Sequence, residues 1–224
     1  EVAWSHFWDW MCGKRNRYES FFANHGASAN GDTAQLTQTL TAGNPLDELL
    51  DSVGQLAALG PEAAEAVPAL VDMLNKDHQA SRVAATYALG AIGEAAAGPL
   101  IDRLDEAGRR GWEDRAPACW SERAVTMMDE AHALAAIGSP AIGPLVKLLA
   151  TAGEWGRLNA AFALGEMDSH AGAAVPALGR CLDDDSHRVV RTALDALGAI
   201  GGDASRVVPR MSRFLSESRP DWEE

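Results

Sequence analysis

The residues able to do chemistry are few and scattered. Asp183, Asp184 and Asp185, followed by Ser186 and His187, put three carboxylates and a hydroxyl in one run, a set that could ligate a hard cation. The run also sits where a helix is about to begin. There side-chain oxygens cap free N–H groups and negative charge suits the helix dipole, which is the role expected of it. His78, after Lys76 and Asp77, occupies an equivalent turn and takes the same reading. Cys12, Cys119 and Cys181 are odd in number and widely spaced. Neither a disulfide framework nor a zinc site is expected, and a reducing, cytoplasmic setting follows. With no phosphate-binding loop, nucleophile elbow or zinc spacing, the expectation is no catalytic residue, cofactor or metal.

Two groups of basic residues are better candidates, and for binding. Residues 108–120, GRRGWEDRAPACW, gather Arg109, Arg110, Trp112, Arg115 and Trp120 in a chain whose formal charge is −13. Arginine and tryptophan are the side chains that most often anchor partner surfaces. The second group is periodic. Four positions after each of Pro68, Pro99, Pro144, Pro176 and Pro209 stand Asp72, Arg103, Leu148, Arg180 and Arg213. Arg103, Arg180 and Arg213 would then form a ladder facing an acidic peptide or a carboxylate ligand.

Those prolines belong to a repeat, and the repeat must position both groups. Its anchor recurs as Leu56-Ala57-Ala58-Leu59-Gly60, Leu89-Gly90-Ala91-Ile92-Gly93, Leu134-Ala135-Ala136-Ile137-Gly138, Leu164-Gly165-Glu166-Met167-Asp168 and Leu197-Gly198-Ala199-Ile200-Gly201. Upstream of each, small and apolar residues recur three and four apart, the period of one helical face. The final glycine suits a left-handed position just past a helix end, with Asp168 as the one substitute. A proline six or eight residues later opens the second helix, where its missing N–H costs nothing. Positions two and five after proline are then the seam: Leu70 and Met73, Ile101 and Leu104, Val146 and Leu149, Leu178 and Cys181, Met211 and Phe214. Ala84, Ala85, Ala88, Ala160, Ala161 and Ala163 would let neighbouring first helices approach closely. Arg82 and Arg157, seven before their anchor leucines, are expected to snorkel or to pair with a neighbouring carboxylate. The fold class is all-α: a right-handed α-solenoid of about five helix pairs.

The run Arg-x-x-Ala-x-x-Ala-Leu-Gly-x-Ile-Gly, followed by Ala-x-Pro-Leu or Val-Pro-Ala-Leu, resembles the short HEAT-like repeat of phycobilin lyase subunits and deoxyhypusine hydroxylases. The resemblance covers about residues 45–216 and implies the fold more than the function. A hydroxylase would hold two irons through His-Glu dipeptides, and this sequence has none; Glu130-Ala131-His132 and Asp168-Ser169-His170 are isolated spellings. A lyase would need a groove for a linear tetrapyrrole, arginines for its carboxylates, and usually a partner subunit.

Domain organisation follows. Residues 1–44 read as an aromatic-rich N-terminal cap and half repeat, in which Trp4, Phe7, Trp8 and Met11 share a helical face and Asp32 caps a helix running to about Thr41 with Leu36 and Leu40 inward. Residues 45–216 are the solenoid, with the insertion at 108–120. Residues 217–224 are a tail. Anchor spacings of 33, 45, 30 and 33 residues place the extra length in the third unit, and an insertion in a solenoid becomes a loop on one face.

The acidic balance argues against nucleic acid as a ligand, and no apolar run is long enough to span a membrane. The functional expectation is a non-catalytic scaffold that binds a protein or peptide, as an extension of a larger protein. The alternative is an enzyme-associated module, either for bilin-lyase-like chromophore binding or as the C-terminal extension of an oxygenase such as a non-haem iron dioxygenase. The nearest His-Asp spelling, Ser5-His6-Phe7-Trp8-Asp9, lacks the His-x-Asp spacing of such an iron site.

Overall fold

Four glycines end first helices in a conformation that other residues avoid. The computed structural model describes residues 32–42, 44–76, 78–110, 129–201, 207 and 209. Within it Gly60, Gly93, Gly138 and Gly201 have φ between 56° and 80° and ψ between −134° and −125°. This is the mirror image of extended backbone, more restrictive than the left-handed helical position expected, and essentially open only to glycine. A Cβ at Gly93 or Gly138 would meet nothing within 4 Å, so the requirement is one of torsion and not of space. Asp168, at φ 50°, carries the strain that the glycines avoid.

Between these turns the described residues form helices α1 (Thr33–Thr41), α2 (Leu46–Leu59), α3 (Val67–Met73), α4 (Gln79–Ile92), α5 (Glu94–Arg110), α6 (Asp129–Ile137), α7 (Ser139–Thr151), α8 (Glu154–Glu166), α9 (Val175–Arg180) and α10 (His187–Ile200). The N-terminal cap and the tail fall largely outside the described residues. The half repeat forms as expected: the Asp32 carboxylate accepts from the Ala34 N–H at 3.3 Å, and Leu36 and Leu40 are buried.

The chain divides into two compact units, Glu1–Ala96 and Ala97–Glu224, with the division inside α5. In the first, α2 and α4 pack side by side, α1 lies on α2 and α3, and α3 lies on α4. In the second, α6, α8 and α10 form one row, while α7 packs on α6 and α8 and α9 packs on α7 and α10. First helices stack on first helices and second on second in each unit, the two-layer arrangement of an all-α solenoid.

Proline opens only some of the second helices. Where eight residues separate anchor and proline, a 3-10 stretch intervenes, Gly60–Ala66 or Asp168–Ala174, and both break at the same step, Ala63 (φ −86°, ψ 19°) and Ala171 (φ −88°, ψ 18°). Helices α3 and α9 then begin with proline at their second residue. Where six residues separate them, α5 and α7 start directly after the glycine, and Pro99 and Pro144 lie inside the helix. Both are exposed, so the carbonyl each leaves without a donor can turn to water.

The consequence is a change of register. The first fully buried leucine falls ten residues after the anchor in one class (Leu70, Leu178) and seven in the other (Leu100, Leu145). Aligned on that leucine, the second helices read PALVDML (68–74), GPLIDRL (98–104), GPLVKLL (143–149) and PALGRCL (176–182). Proline slips by one position between classes. Ile101 and Val146, expected in the seam, are accordingly only half-buried, and Leu100 and Leu145 take the inward place.

Small residues set the first-helix row. Ala84, Ala85, Ala88, Ala160, Ala161 and Ala163 are all buried, and α8 packs tightly on α10 at Gly165. A Cβ there would lie 2.9 Å from the Cα and 3.0 Å from the Cβ of Ala196, so one helix backbone rests on the other. Gly198 holds the equivalent place on α10 but is exposed, with nothing within 4 Å of a Cβ. Gly165→Ala should therefore destabilise the fold by about 1–3 kcal/mol through overpacking. Gly198→Ala should stabilise it by roughly 0.5–1 kcal/mol through helix propensity alone. Urea unfolding of both variants checks the opposite signs.

Candidate functional site

Of the eight residues singled out in the sequence, the structure describes the side chains of two. Trp112, Arg115, Trp120 and Arg213 lie outside the described residues, as do the side chains of Arg109 and Arg110 at the end of α5. Arg180 is exposed, and its guanidinium reaches only back along its own helix, Nη1 donating to the Pro176 carbonyl at 3.3 Å. Arg103 is placed differently. Its Nε donates to Glu130 Oε1 at 2.9 Å and its Nη2 lies 2.8 Å from the same oxygen.

The leucine register explains the contrast. Arg103 aligns with Met73, Leu148 and Cys181, all buried seam residues, so it belongs to the interior side of α5. The solvent-facing position one step earlier holds Asp72, Asp102, Lys147 and Arg180, every one exposed. One turn before each stands Pro68, Gly98, Gly143 or Pro176, also exposed. Each second helix thus presents a small residue followed by a charge on the same face. Counting from proline picked up Arg103 in place of Asp102, and Leu148 in place of Lys147.

Glu130 is itself at a core position. Four residues before their anchor leucines, the other first helices carry Ser52, Ala85, Ala160 and Ala193, all buried, and Glu130 is only 3% exposed. A carboxylate there would be costly alone, and the Arg103 guanidinium compensates it. The pair joins α5 to α6, the helices that flank the undescribed 111–128 segment.

A second clasp joins α8 to the turn before α10. Arg157 binds Asp184 through both arms, Nε to Oδ2 at 2.7 Å and Nη2 to Oδ1 at 2.9 Å, and its Nη1 donates to the Ala152 carbonyl at 3.0 Å. The hydrogen bond to Asp184 is the main cause that raises the arginine above its ordinary pKa. Beside it, Ser186 Oγ donates to Glu154 Oε1 at 2.6 Å, and the Arg188 guanidinium lies 5.7 Å from the centre of the Trp155 ring. Of the carboxylates read as a helix cap, Asp184 is put to another use: Ser186 is the N-cap residue of α10, and Asp184 receives the arginine and the Ser186 N–H. Arg157 pairs as expected. Arg82, its counterpart on α4, donates to the Lys76 carbonyl at 3.0 Å.

Two buried titratable groups are pushed toward their uncharged forms. His132, edge-on to Phe162 with ring centres 4.8 Å apart, is buried, and that burial lowers its pKa to about 3, so it stays neutral. Burial pushes the Cys181 thiol up to about 11, keeping it protonated and unreactive. Among the described residues no group of three or more His, Cys, Asp or Glu is placed to hold a metal ion. No described helix is long and apolar enough to cross a membrane.

Comparison with known proteins agrees with the architecture. The model of HEAT repeats matches residues 142–223, and that of the PBS lyase HEAT-like repeat matches residues 81–106. The chain is a HEAT-like repeat protein. No curated protein matches the sequence. Similar solved structures include a designed armadillo repeat protein in complex with the peptide (KR)4, at 20% identity over 85% of this chain and 97% of that one, with a TM-score of 0.34. An engineered protein matches at 20% identity over 83% and 90%, TM-score 0.38, and a second designed armadillo repeat protein at 20% over 85% and 97%, TM-score 0.33. Likenesses this distant say nothing of what the HEAT-like chain binds.

The Arg103–Glu130 pair escaped the sequence reading although a signal was present: opposite charges at two registers that are small or apolar in every other described repeat. The same registers supply the test. Arg103→Ala should destabilise this HEAT-like protein by about 3–5 kcal/mol, leaving a buried carboxylate unpaired. Arg103→Met combined with Glu130→Ala, the residues found at those registers elsewhere in the chain, should recover wild-type stability or exceed it. Denaturant unfolding of the two variants decides.

Proposed function

We propose that this HEAT-like repeat protein is a non-catalytic scaffold that holds a protein or peptide segment along the exposed face of the second helices of its C-terminal unit. One observation carries the reading. Each described second helix offers the same solvent-facing pair, a proline or glycine and, one turn on, a charged residue, while Arg103 with Glu130 and Arg157 with Asp184 are committed to clasps within the C-terminal unit. A repeated module that keeps one register free is suited to reading an extended ligand unit by unit. The neutral His132 and the protonated Cys181 thiol fit a protein whose work is holding and not reacting. That thiol also suits a reducing compartment such as the cytoplasm. The 108–120 segment, with Arg109, Arg110, Trp112, Arg115 and Trp120, would extend the binding surface beyond the helices, Arg213 would continue the row by sequence register, and Arg103 would support the surface from within.

Gly98 and Gly143 allow a test that does not depend on ligand charge. Both are exposed, and a Cβ at either meets nothing within 4 Å, so glutamine can be placed there without disturbing the core. Affinity capture from cells that make the protein, quantified by mass spectrometry, is compared between wild type and Gly98→Gln with Gly143→Gln. Specific partners should fall at least about tenfold with an unlowered melting temperature, a loss of about 1.4 kcal/mol in binding. Recovery of the same partners in the same amounts, or no specific partner with wild type, would overturn the proposal.

A further inference from the structure

Resting on that scaffold reading, we infer that the second-helix face of the C-terminal unit is a site for an extended acidic peptide segment, with carboxylates received by Lys147 and Arg180. The chain has a formal charge of −13, so two bases at one solvent-facing register of neighbouring helices are against its average. Helices α7 and α9, which carry them, pack directly on each other. The other described arginines of this unit with interior contacts are occupied: Arg103 by Glu130, Arg157 by Asp184, and Arg188 over Trp155. Lys147 makes no hydrogen bond or ion pair through its ammonium among the described residues, and Arg180 makes only the long bond to its own helix.

Spacing selects the form of the ligand. Packed helices lie about 8–10 Å apart, and an extended chain advances about 3.3 Å per residue. Carboxylates about three residues apart therefore match one base per helix. Gly143 and Pro176, one turn before the bases and exposed, leave the helix surface low, so that a peptide backbone can come close while its acidic side chains reach Lys147 and Arg180. At the same register α3 and α5 carry Asp72 and Asp102, so the acid-binding character is confined to the later helices.

The probe is a dye-labelled peptide of repeated Glu-Gly-Ser triplets, followed by fluorescence anisotropy at low ionic strength, where exposed charges are least screened. Its lysine counterpart and a single-stranded oligothymidylate serve as comparison ligands. The full chain should bind the glutamate peptide in preference to both. Lys147→Glu with Arg180→Glu should weaken that binding by about tenfold or more. Lys76→Glu with Arg191→Glu, two other exposed bases and the same change in net charge, should leave it within about twofold. Equal loss in both variants, no binding of the glutamate peptide, or tighter binding of the lysine peptide or the oligonucleotide would overturn the inference. If that happens while the glutamine-blocked face still loses its captured partners, the scaffold reading stands and only the acidic ligand class falls.

Discussion

Close approach of neighbouring first helices is the constraint on which the rest of the molecule depends. A single helix pair buries a handful of apolar side chains at about 1.5–3 kcal/mol each. Ordering its backbone costs about 1–2 kcal/mol per residue. The difference has to come from the next pair. At Gly165 and Ala196 the two helices touch through main-chain and Cβ atoms, which is possible only because both positions are nearly without side chain. Buried alanines along α4 in the first unit and along α8 in the second meet the same condition, and the glycine or Asp168 turn fixes where each first helix must stop. Fully buried leucines come from both layers, Leu56, Leu89, Leu134 and Leu164 from first helices and Leu70, Leu100, Leu145 and Leu178 from second helices.

Polar clasps add register to this otherwise uniform packing. Arg157 and Asp184 form such a clasp between one first helix and the turn before the next. At the registers of Arg157 and Asp184 the first full repeat carries Leu49 and Lys76, and Lys76 offers its carbonyl to Arg82. The two positions change together within one chain, which is the behaviour expected of a pair in contact. Arg103 and Glu130 are the interior version, at registers that are otherwise small or apolar. A uniform stack could slide by a repeat at little cost. A buried charge pair found at one junction among the described residues makes that slip expensive, because each partner would be left without the other.

The repeat, its helix pairs and the positive φ at the anchor were legible because each rests on a residue type with few alternatives: glycine at positive φ, leucine in the core, alanine where helices meet. Even the exception at Asp168 is where the pattern placed it. The second-helix register was not legible from proline, since proline is tolerated both at the second residue of a helix and on an exposed face farther in, so Pro68 and Pro99 are not equivalent. The leucines Leu70, Leu100, Leu145 and Leu178 are fully buried in all four second helices and give the alignment correctly. That difference moved Arg103 from the surface to the seam and brought Lys147 onto the surface beside Arg180. The acidic run at 183–185 misled for a related reason. A carboxylate near a helix start can cap its own helix or reach a neighbouring repeat, and only the fold shows that Asp184 does the second.

If each repeat is held by its neighbours, damage cannot stay where it is made. Native-state hydrogen exchange on Leu197→Ala, which removes a fully buried side chain from α10, tests this most directly. The account requires amide protection to fall in α8 and α9 together with α10, and less in α6, one repeat farther away. Loss confined to α10, with α8 retaining wild-type protection, would show that the repeats stand on their own and would contradict it.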